Sequence, residues 1–470
     1  MTIWTPSLKS DSRRRYLAIV ESLAESIRAG ELSHGQRLPT HRALADRLGV
    51  AVNTVSRAYA EAQRRGLVDS GVGRGTFVRD GRDTGPGLDG SAQSWTTGID
   101  PRVIDLGFNC PVLEPTHADS VARALRATAE LAELSTLLAY HPPWRGLERH
   151  RRAGARWAAS RGLAPDPGDV VLCSGAQHAG SVVLAAHTAP GDVVLTEELT
   201  DPGIKFLAAT RNLRLVGVPI DEHGLVPDTL EAACRSGGAK ALFCMPTHQS
   251  PTLAIMPEAR RREIARIARA HGLTILENDV YGPYVADSPP PVATFAPERT
   301  FYLTSLSKSV APGLRVGYVI APGGSAERLL PGLAGTGWMA SPIMAEVASI
   351  LIEDGTAARL VARQRAEMAA RNVLAAELLR GQHHVSLPTG LHVWLTLPAQ
   401  WRAQHLVAQA RARGIIVTPV DAFVVGSAHA PHAVRLSLGG ATPSRAALRR
   451  GLTTVVDVLA GRPEASYLIM

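Results

Sequence analysis

The sequence predicts a protein of two domains, with a small α+β domain at the N-terminus and a large α/β domain after it. Its 470 residues exceed the length of one ordinary domain. Within residues 1–80, helically spaced apolar residues precede a glycine-rich hairpin pattern, whereas residues 101–470 alternate short β-rich runs with helical stretches. Residues 81–100 hold many Gly, Asp and Ser residues and few apolar ones, which predicts a flexible linker.

The composition is typical of a soluble globular protein, with 45% apolar and 20% charged residues. The sequence contains no run of eighteen apolar residues, so no membrane span is predicted. Its N-terminus lacks the basic and apolar segments of a secretory signal, and we therefore expect a cytoplasmic protein. The cysteines are scattered without a Cys-x-x-Cys pair, which favours free buried thiols over disulfides or a metal site. They are Cys110, Cys173, Cys234 and Cys244.

The N-terminal domain combines a basic charge balance with the pattern of three helices and a hairpin. Residues 1–80 carry 13 Lys and Arg against 8 Asp and Glu, an excess that favours a nucleic-acid partner but also fits a solvated charged face. A first helix is expected to end near Gly30, a second to span 41–48 after an N-cap at Thr40, and a third to begin near Asn53. The apolar stripe of the first helix consists of Tyr16, Ile19, Val20, Leu23 and Ile27. Two strands around a glycine-rich tip within residues 67–78 complete a winged helix–turn–helix, whose second helix reads the major groove.

Three motifs of this domain resemble the head of GntR-family regulators. They are Gly35-x-x-Leu38-Pro39-x-x-Arg42-x-Leu44-Ala45, Thr54-Val55-x-Arg57-Ala58-Tyr59 and Gly73-Arg74-Gly75-Thr76-Phe77. The resemblance implies double-stranded operator DNA as a partner and four DNA-binding residues, Arg42, Thr54, Arg57 and Arg74. The sequence does not separate phosphate contacts, which orient the domain, from base contacts, which discriminate. The alternative for Arg42 and Arg57 is an exposed arginine in a local ion pair.

The large domain shows β-rich runs separated by helical stretches. Strands are predicted at 170–173, 193–195, 241–244, 273–276 and 316–320, and helices include 258–270 and 357–379. Strands separated by helices predict a parallel or mixed sheet covered on both faces. Ligands of such sheets bind at the carboxyl ends of the strands.

One segment of this domain places a lysine among phosphate-binding residue types. Ser305 and Ser307 lie three and one residues before Lys308, and Arg315 lies seven after it. Such a lysine forms a Schiff base with an aldehyde cofactor, while hydroxyls and an arginine hold a phosphate, which indicates pyridoxal 5′-phosphate (PLP). The segment resembles the S-x-S-K-x(6)-R signature of class I/II aminotransferases of fold type I, with Lys308 as the catalytic lysine. The alternative is an ordinary surface lysine.

The same resemblance implies further site residues. The helix N-terminus at Gly175, Ala176 and Gln177 suits the cofactor phosphate, since its N–H groups favour an anion. By resemblance, Tyr281 hydrogen-bonds the phenolic oxygen of PLP and Tyr140 reaches the phosphate of a neighbouring subunit, which implies a homodimer with composite sites. Arg435 resembles the arginine that binds the substrate carboxylate with both ends of its planar fork.

Three positions depart from the aminotransferase pattern. Asn278 stands where an aspartate normally pairs with the pyridine nitrogen, and a neutral amide stabilises a pyridinium less well than a carboxylate does. The next residue, Asp279, is expected to face the opposite side of the strand. Ser250 replaces an asparagine that contacts the phenolic oxygen, and Asp201 stands near the place of a stacking tyrosine. These changes predict a site that binds PLP but catalyses poorly, or that has lost the cofactor.

The order of the two domains resembles the MocR subfamily of GntR regulators. The resemblance implies a DNA-binding transcriptional regulator whose large domain senses PLP, an amino acid or an amine. Two alternatives stay open. One is an active PLP-dependent aminotransferase with an accessory DNA-binding head, and the other is a PLP-free regulator that uses the altered site for another ligand.

Overall fold

The computed structural model describes residues 4, 15–29, 31–32, 36–64, 67–71, 75–78, 103–139, 144–426, 430–440 and 444–461. The chain divides into two compact units, Met1–Ala92 and Gln93–Met470. The predicted linker at 81–100 lies outside the described residues, as do Arg74 and Tyr140. The domain limits 1–80 and 101–470 therefore remain predictions.

The N-terminal unit is a three-helix arrangement followed by a hairpin, as the sequence predicts. Its elements are α1 (Arg15–Arg28), α2 (His41–Leu48), α3 (Val52–Arg64), β1 (Val68–Gly71) and β2 (Gly75–Val78), and the two strands pair antiparallel. Thr40 begins α2 by accepting a hydrogen bond from the N–H of Ala43, and Gly49 ends it in the left-handed conformation. Ile19 and Leu23 of α1 are fully buried with Val55 and Ala58 of α3, so packing between these two helices forms the core of the unit.

The large unit contains many helices arranged around a central sheet. The helices are α4 (Pro115–Ala129), α5 (Leu134–Leu138), α6 (Glu148–Ala159), α7 (Ala176–His187), α8 (Pro202–Thr210), α9 (Pro227–Arg235), α10 (Glu258–His271), α11 (Val292–Phe295), α12 (Leu330–Thr336), α13 (Pro342–Glu353), α14 (Thr356–Leu378), α15 (Ala403–Ala412) and α16 (Arg445–Ala460). The strands are β3 (Ile104–Asp105), β4 (Val170–Cys173), β5 (Val193–Glu197), β6 (Arg214–Val218), β7 (Ile220–Asp221), β8 (Gly224–Leu225), β9 (Ala239–Cys244), β10 (Thr274–Asn278), β11 (Thr300–Ser305), β12 (Gly317–Ile320), β13 (His384–Val385), β14 (His392–Thr396), β15 (Ile415–Ile416), β16 (Thr418–Pro419) and β17 (Ala433–Ser437).

The central sheet is mixed and has seven strands in the order β4-β12-β11-β10-β9-β5-β6. Only β12 runs antiparallel to its neighbours within this sheet, so the other strands all present their carboxyl ends at one edge. The predicted α/β fold class is therefore confirmed, and each of the five predicted runs overlaps one of these strands, with 273–276 and 316–320 beginning one residue early. Strands β6 and β11 add two that the sequence did not indicate.

The two faces of the central sheet pack against different helices. Val171 and Leu303 face the buried residues of α7, whereas Leu172 and Tyr302 face a cluster that includes Trp157 of α6. Alternation along the strands produces this division, because successive side chains point to opposite faces. A strand residue at the carboxyl edge can thus be assigned to a face from its position alone.

A second, antiparallel sheet in the order β13-β14-β17-β16 lies in the C-terminal part of the large unit. Strand β3 pairs separately with β15 in parallel, which brings the segment that follows Ile104 to the C-terminal region. Backbone hydrogen bonds continue this contact, since Ser437 donates to the carbonyl of Leu106. The segment 105–110 is thereby fixed beside β17.

Two further sequence predictions concern membranes and cysteines. Among the helices of the described residues, none is both long and apolar enough to cross a membrane. All four cysteines have free thiols, and Cys173, Cys234 and Cys244 are buried as predicted, whereas Cys110 is half-buried.

Candidate functional site

The loops after β4 and β11 form a small polar cradle. Arg315 donates from Nη1 to Oγ of Ser307 at 3.3 Å and from Nη2 to the carbonyl of Ser174 at 3.1 Å. Gly175, at the start of α7, has a φ of +90°, and a Cβ there would lie 2.7 Å from Nη2 of Arg315. Glycine is required at this position both by its backbone conformation and by the approach of the guanidinium. The cradle thus joins an arginine, a hydroxyl and a helix N-terminus, a donor set that suits a phosphate.

The other predicted phosphate contacts lie at the same edge of the central sheet as the cradle, but their side chains make other hydrogen bonds or none. Ser305 is buried, and its Oγ accepts from the N–H of Ser307 at 3.3 Å. Ala176 begins α7, so its backbone N–H belongs to the first helical turn. Gln177 turns its side chain away and donates to the carbonyl of Gly203 at 2.8 Å. Since this bond holds the side chain toward α8, the backbone N–H of Gln177 is the donor that belongs to the first turn of α7.

Lys308 lies in the loop that follows β11 and is half-buried. Its Nζ donates to the backbone carbonyl of Asn109 at 2.5 Å and lies 5.1 Å from the ring centre of Phe108 and 6.0 Å from that of Tyr281. Tyr284 donates from its hydroxyl to the carbonyl of Lys308 at 2.6 Å, and this bond fixes the backbone of the loop. The amine therefore points into the large unit, and the surface-lysine alternative does not describe it.

Asn278 ends β10 on the face of the sheet that carries α7. It pairs with Leu303, which packs in the cluster of α7, and no described residue bonds its buried Oδ1. Asp279 points to the opposite face, as strand alternation predicts. There its Oδ2 accepts from Arg161 Nε at 2.8 Å and from the hydroxyl of Tyr302 at 2.7 Å. Asp279 therefore cannot take over the position of a carboxylate at residue 278.

Arg435 lies on β17 with its guanidinium buried. It donates to Oγ of Ser250 at 3.2 Å and to the carbonyl of Gly107 at 2.7 Å, and it stacks 4.9 Å from the ring centre of Phe423. Burial lowers the pKa of Arg435, because its hydrogen-bond partners are neutral oxygens that do not compensate the lost hydration. No described residue bonds its Nε, so the guanidinium retains an unused donor. Such an arginine can bind an anionic group.

Ser250 and Asp201 have contacts that the sequence did not predict. Ser250 is fully buried and accepts from Arg435, the residue that the sequence predicts to bind a substrate carboxylate. Asp201 is the N-cap of α8 and accepts from the N–H of Gly203 at 2.8 Å. It therefore has a structural reason to be an aspartate, because a short acceptor side chain satisfies the first turn of a helix.

Sequence reasoning missed three buried residues that line the same site, Asn109, His248 and His392. Asn109 Nδ2 lies 2.8 Å from Nδ1 of His392 and 3.4 Å from the hydroxyl of Tyr281. His248 stacks on Tyr281 with ring centres 4.9 Å apart, and burial lowers its pKa to about 4. No local pattern marked them, because the three residues meet only when segments more than a hundred residues apart fold together.

In the N-terminal unit, three of the four predicted DNA-binding residues are described. Arg42 is exposed on α2, and Thr54 and Arg57 lie on the first half of α3, the second helix of the helix–turn–helix. The guanidinium of Arg57 lies 4.7 Å from the ring centre of Tyr16, and His41 Nδ1 lies 3.0 Å from Oγ of Ser56. The first contact joins α3 to α1 and the second joins α2 to α3, and the DNA-binding roles of Arg42, Thr54 and Arg57 remain predictions.

Comparisons with known proteins match the two units separately. The aminotransferase class I and II family matches residues 101–455, and the gntR family of bacterial regulatory proteins matches residues 15–78. LysN, the α-aminoadipate aminotransferase of Thermus thermophilus, was solved in complex with N-(5′-phosphopyridoxyl)-L-leucine. This chain matches that structure with a TM-score of 0.69 at 22% identity, covering 80% of this chain and 95% of LysN. At that identity the likeness shows the fold.

Similarity to curated regulators extends over both units. YdeF of Bacillus subtilis strain 168, an uncharacterized HTH-type transcriptional regulator, is 28% identical over 438 residues, which cover 93% of this chain and 92% of YdeF. PtsJ of Salmonella typhimurium strain LT2, a vitamin B6 salvage pathway transcriptional repressor, is 27% identical over 429 residues, which cover 89% of this chain and 93% of PtsJ. With a GntR-type head and an aminotransferase-type large unit on one chain, the protein belongs to the MocR subfamily of GntR-family transcriptional regulators.

Proposed function

We propose that the large unit binds PLP through Lys308 and that occupancy of this site controls how the N-terminal unit binds operator DNA. The observation that carries the proposal is that Lys308, whose amine turns inward to the carbonyl of Asn109, directly follows Ser307 of the cradle that Gly175 and Arg315 complete. Both Lys308 and the cradle follow strands that end at the same edge of the sheet, where ligands of α/β sheets bind.

The residues present fit the cofactor. Gly175 leaves room that a Cβ would fill, and Arg315 and Ser307 supply donors for a phosphate. Asn278 Oδ1 and Arg435 Nε are buried polar atoms without partners among the described residues, and buried polar atoms normally have partners. Bound PLP would supply an aldehyde for the lysine amine and an electron-withdrawing ring.

Each residue then has a distinct task. Lys308 provides the amine, and the cradle binds the phosphate and orients the ring. Tyr281 provides a hydroxyl, and Arg435 binds the carboxylate of an amino-acid effector. The planar guanidinium suits that last task because it can bond both carboxylate oxygens.

The neutral Asn278 favours a sensor over an efficient enzyme. A carboxylate beside the pyridine nitrogen would hold a positive charge there, whereas an amide gives only a dipole. Asp279 cannot compensate, since Arg161 and Tyr302 hold it on the other face. Slow turnover suits a regulator, because the bound ligand must persist long enough to shift the conformational equilibrium of the DNA-binding state.

The names of relatives support the effector class. PtsJ is named for vitamin B6 salvage, and PdxR of Corynebacterium glutamicum, 28% identical over 307 residues, is named for pyridoxine biosynthesis. PLP, an amino acid or an amine that reacts with PLP is therefore the effector that we propose.

A homodimer is also proposed. The segment 103–139 exposes several large apolar side chains, and such surfaces mark contacts between protein chains. They are Phe108, Leu113, Leu125 and Leu138. Tyr140 follows directly and would reach the partner subunit's phosphate, as the resemblance implies. Sedimentation of the purified chain at a dimeric mass supports this proposal, and a monomeric mass refutes it.

The test compares the full chain with two lysine variants. We expect PLP to give the wild-type protein a visible absorption band above 400 nm, which Lys308→Ala loses and Lys240→Ala keeps, since Lys240 is exposed at the start of β9. An unchanged band in Lys308→Ala would exclude Lys308 as the anchor. Affinity for a duplex selected from a random DNA library is then measured with and without PLP and a panel of amino acids.

The runner-up, an active aminotransferase, is favoured by the presence of Lys308, Arg315 and Arg435 in one unit. Turnover of an amino acid at ordinary enzyme rates, together with a DNA affinity that PLP and amino acids do not change, would establish the aminotransferase. Absence of the band even with excess PLP would instead establish a PLP-free regulator.

A further inference from the structure

Asn109 connects the amine of Lys308 to the hydroxyl of Tyr281. Its backbone carbonyl accepts from Lys308 Nζ at 2.5 Å, and its side chain, only 2% exposed, lies 3.4 Å from the Tyr281 hydroxyl. The same Nδ2 lies 2.8 Å from Nδ1 of His392. One residue therefore touches the proposed anchor, the proposed hydroxyl donor and a buried imidazole.

The directions of these hydrogen bonds are fixed by the chemistry of the partners. His392 Nε2 lies 2.9 Å from the carbonyl of Pro251, which can only accept, so Nε2 carries the hydrogen. Burial, together with the neighbouring His248 and Arg435, lowers the pKa of His392 well below its usual value. The ring is therefore neutral, its Nδ1 accepts, and the amide of Asn109 must donate to it.

This orientation determines what Tyr281 can do. One hydrogen of Asn109 Nδ2 goes to His392, and the other faces the oxygen of Tyr281. A phenolic oxygen that accepts from an amide keeps its own hydrogen for a different acceptor. His248, stacked on the Tyr281 ring, holds the ring plane.

We propose that Asn109, oriented by His392, is a positioning residue that makes Tyr281 a hydrogen donor toward the phenolic oxygen of the cofactor and holds the Lys308 amine in place. The inference rests on the proposed role of Lys308 as the cofactor anchor. Asn109 contacts Lys308 and Tyr281, and His392 acts through Asn109 and also packs against His248.

The substitution Asn109→Asp reverses the direction of the hydrogen bond between residue 109 and Tyr281, with almost no change in the shape of the side chain. A carboxylate has no hydrogen to donate, so the Tyr281 hydroxyl turns to it and no longer serves the cofactor. The new negative charge also lies near the lysine nitrogen and favours its protonated form. Both effects favour the protonated form of the lysine-bound cofactor. We therefore expect Asn109→Asp to raise the midpoint, which is the pH at which half of the visible band above 400 nm is lost, by about one unit or more.

The groups that can influence this midpoint surround the same contacts. Among the described residues, the titratable and charged side chains around Asn109, Tyr281 and the Lys308 loop include Cys110, Lys308, Tyr281, Tyr284, His248, His392 and Arg435, with Asp105 and Asp201 acting on Arg435. None of these residues is replaced in Asn109→Asp, but His392 Nδ1 then faces a carboxylate instead of an N–H and can take up a proton.

Asn372 supplies the matched control. It is also a buried amide, and its Nδ2 donates to the carbonyls of Met368 and Gly390 at 2.9 and 2.8 Å. Asn372→Asp makes the same chemical change and is expected to lower the melting temperature but leave the midpoint in place. A second variant, His392→Phe, removes the acceptor that orients Asn109 and is expected to weaken PLP binding about fivefold, the equivalent of one hydrogen bond. An equal midpoint shift in Asn372→Asp, or no shift in Asn109→Asp, overturns the inference.

A measurement without cofactor keeps the inference testable if a variant does not fold. In the wild-type apoprotein, nitrogen-15 spectra of the histidine rings are expected to show His392 with its hydrogen on Nε2. His248, whose Nε2 accepts from the N–H of Leu391 at 3.2 Å, is expected to carry its hydrogen on Nδ1. Finding a protonated Nδ1 on His392 would overturn the inference. A chain that shows these tautomers but never binds PLP would refute the proposed function and not the hydrogen-bond pattern.

Discussion

Asn278 and Asp279 are adjacent in the chain, yet their side chains face opposite sides of the central sheet. Asn278 lies on the face of α7, and Asp279 bonds Arg161 and Tyr302 on the face of α6. The residue that we propose to face the pyridine nitrogen is therefore neutral, although a carboxylate lies one residue away. The strand geometry separates the two, because alternation leaves no rotamer that would bring Asp279 across the sheet.

Asn278→Asp is expected to strengthen PLP binding. A carboxylate at this position would attract the protonated pyridine nitrogen, and a single favourable charge contact of this kind raises affinity about tenfold. Titration of the apoprotein with PLP, followed by visible absorption, measures the change. Unchanged affinity and unchanged half-transamination would show that residue 278 does not face the nitrogen.

Asp279→Asn is the control for that experiment. It removes the charge that pairs with Arg161, and loss of one partner of a buried pair costs about 3–5 kcal/mol of stability. Its melting temperature should therefore fall while PLP affinity does not rise. The two adjacent variants thus separate an effect on the cofactor from an effect on the fold.

Gly175→Ala is expected to close the phosphate cradle. A Cβ there would lie 2.7 Å from Arg315 Nη2, and the guanidinium must move away from the place where it would bind an anion. We expect PLP affinity to fall at least tenfold, about 1.4 kcal/mol. Gly191→Ala is matched in backbone conformation, since φ is +91° at Gly191 and +90° at Gly175, but no heavy atom lies within 4 Å of its Cβ position. Both variants therefore carry backbone strain, and equal losses of PLP affinity in the two would contradict the cradle.

The sequence predicted the local parts of this protein better than its long-range contacts. The N-cap at Thr40, the helix that it begins and the all-buried strand Val170–Cys173 follow from residue types within a few positions. The opposite orientation of Asn278 and Asp279 followed from strand alternation alone. Asn109 and His392 could not be predicted, since they are 283 residues apart and meet only because β3 pairs with β15 and β14 pairs with β17. The N-cap role of Asp201 does have a local signal, because an aspartate directly before a proline is typical of a helix start.

Arg57→Ala is expected to weaken DNA binding and its salt dependence. Each phosphate contact that is lost lowers the slope of log affinity against log salt by about one. Tyr16→Leu, which removes the ring beneath the guanidinium, should weaken binding less, because the charge remains but is no longer held in place. Arg262→Ala removes the same charge from α10 of the large unit, where Arg262 pairs with Glu258, and serves as the control. Electrophoretic titrations of an in vitro selected duplex at several salt concentrations measure the slopes, and equal slopes for wild type and Arg57→Ala would remove Arg57 from the DNA-binding surface.

His248 makes the stability of the large unit depend on pH. Burial lowers the pKa of His248 from 6.5 to about 4, so between these values the unfolded chain binds a proton that the folded chain does not. Stability is then fully present above pH 6.5 and is lost as the pH falls toward 4, by about 3 kcal/mol for the whole interval.

His248→Gln is expected to remove this part of the pH dependence, because an amide does not titrate but can still accept from the N–H of Leu391. Melting temperatures measured by calorimetry at pH 7, 6 and 5 should therefore fall less steeply in His248→Gln than in wild type, whereas His223→Gln, a change at an exposed histidine, should follow wild type. Parallel curves for His248→Gln and wild type would mean that the imidazole is hydrated in solution and not buried as in this structure.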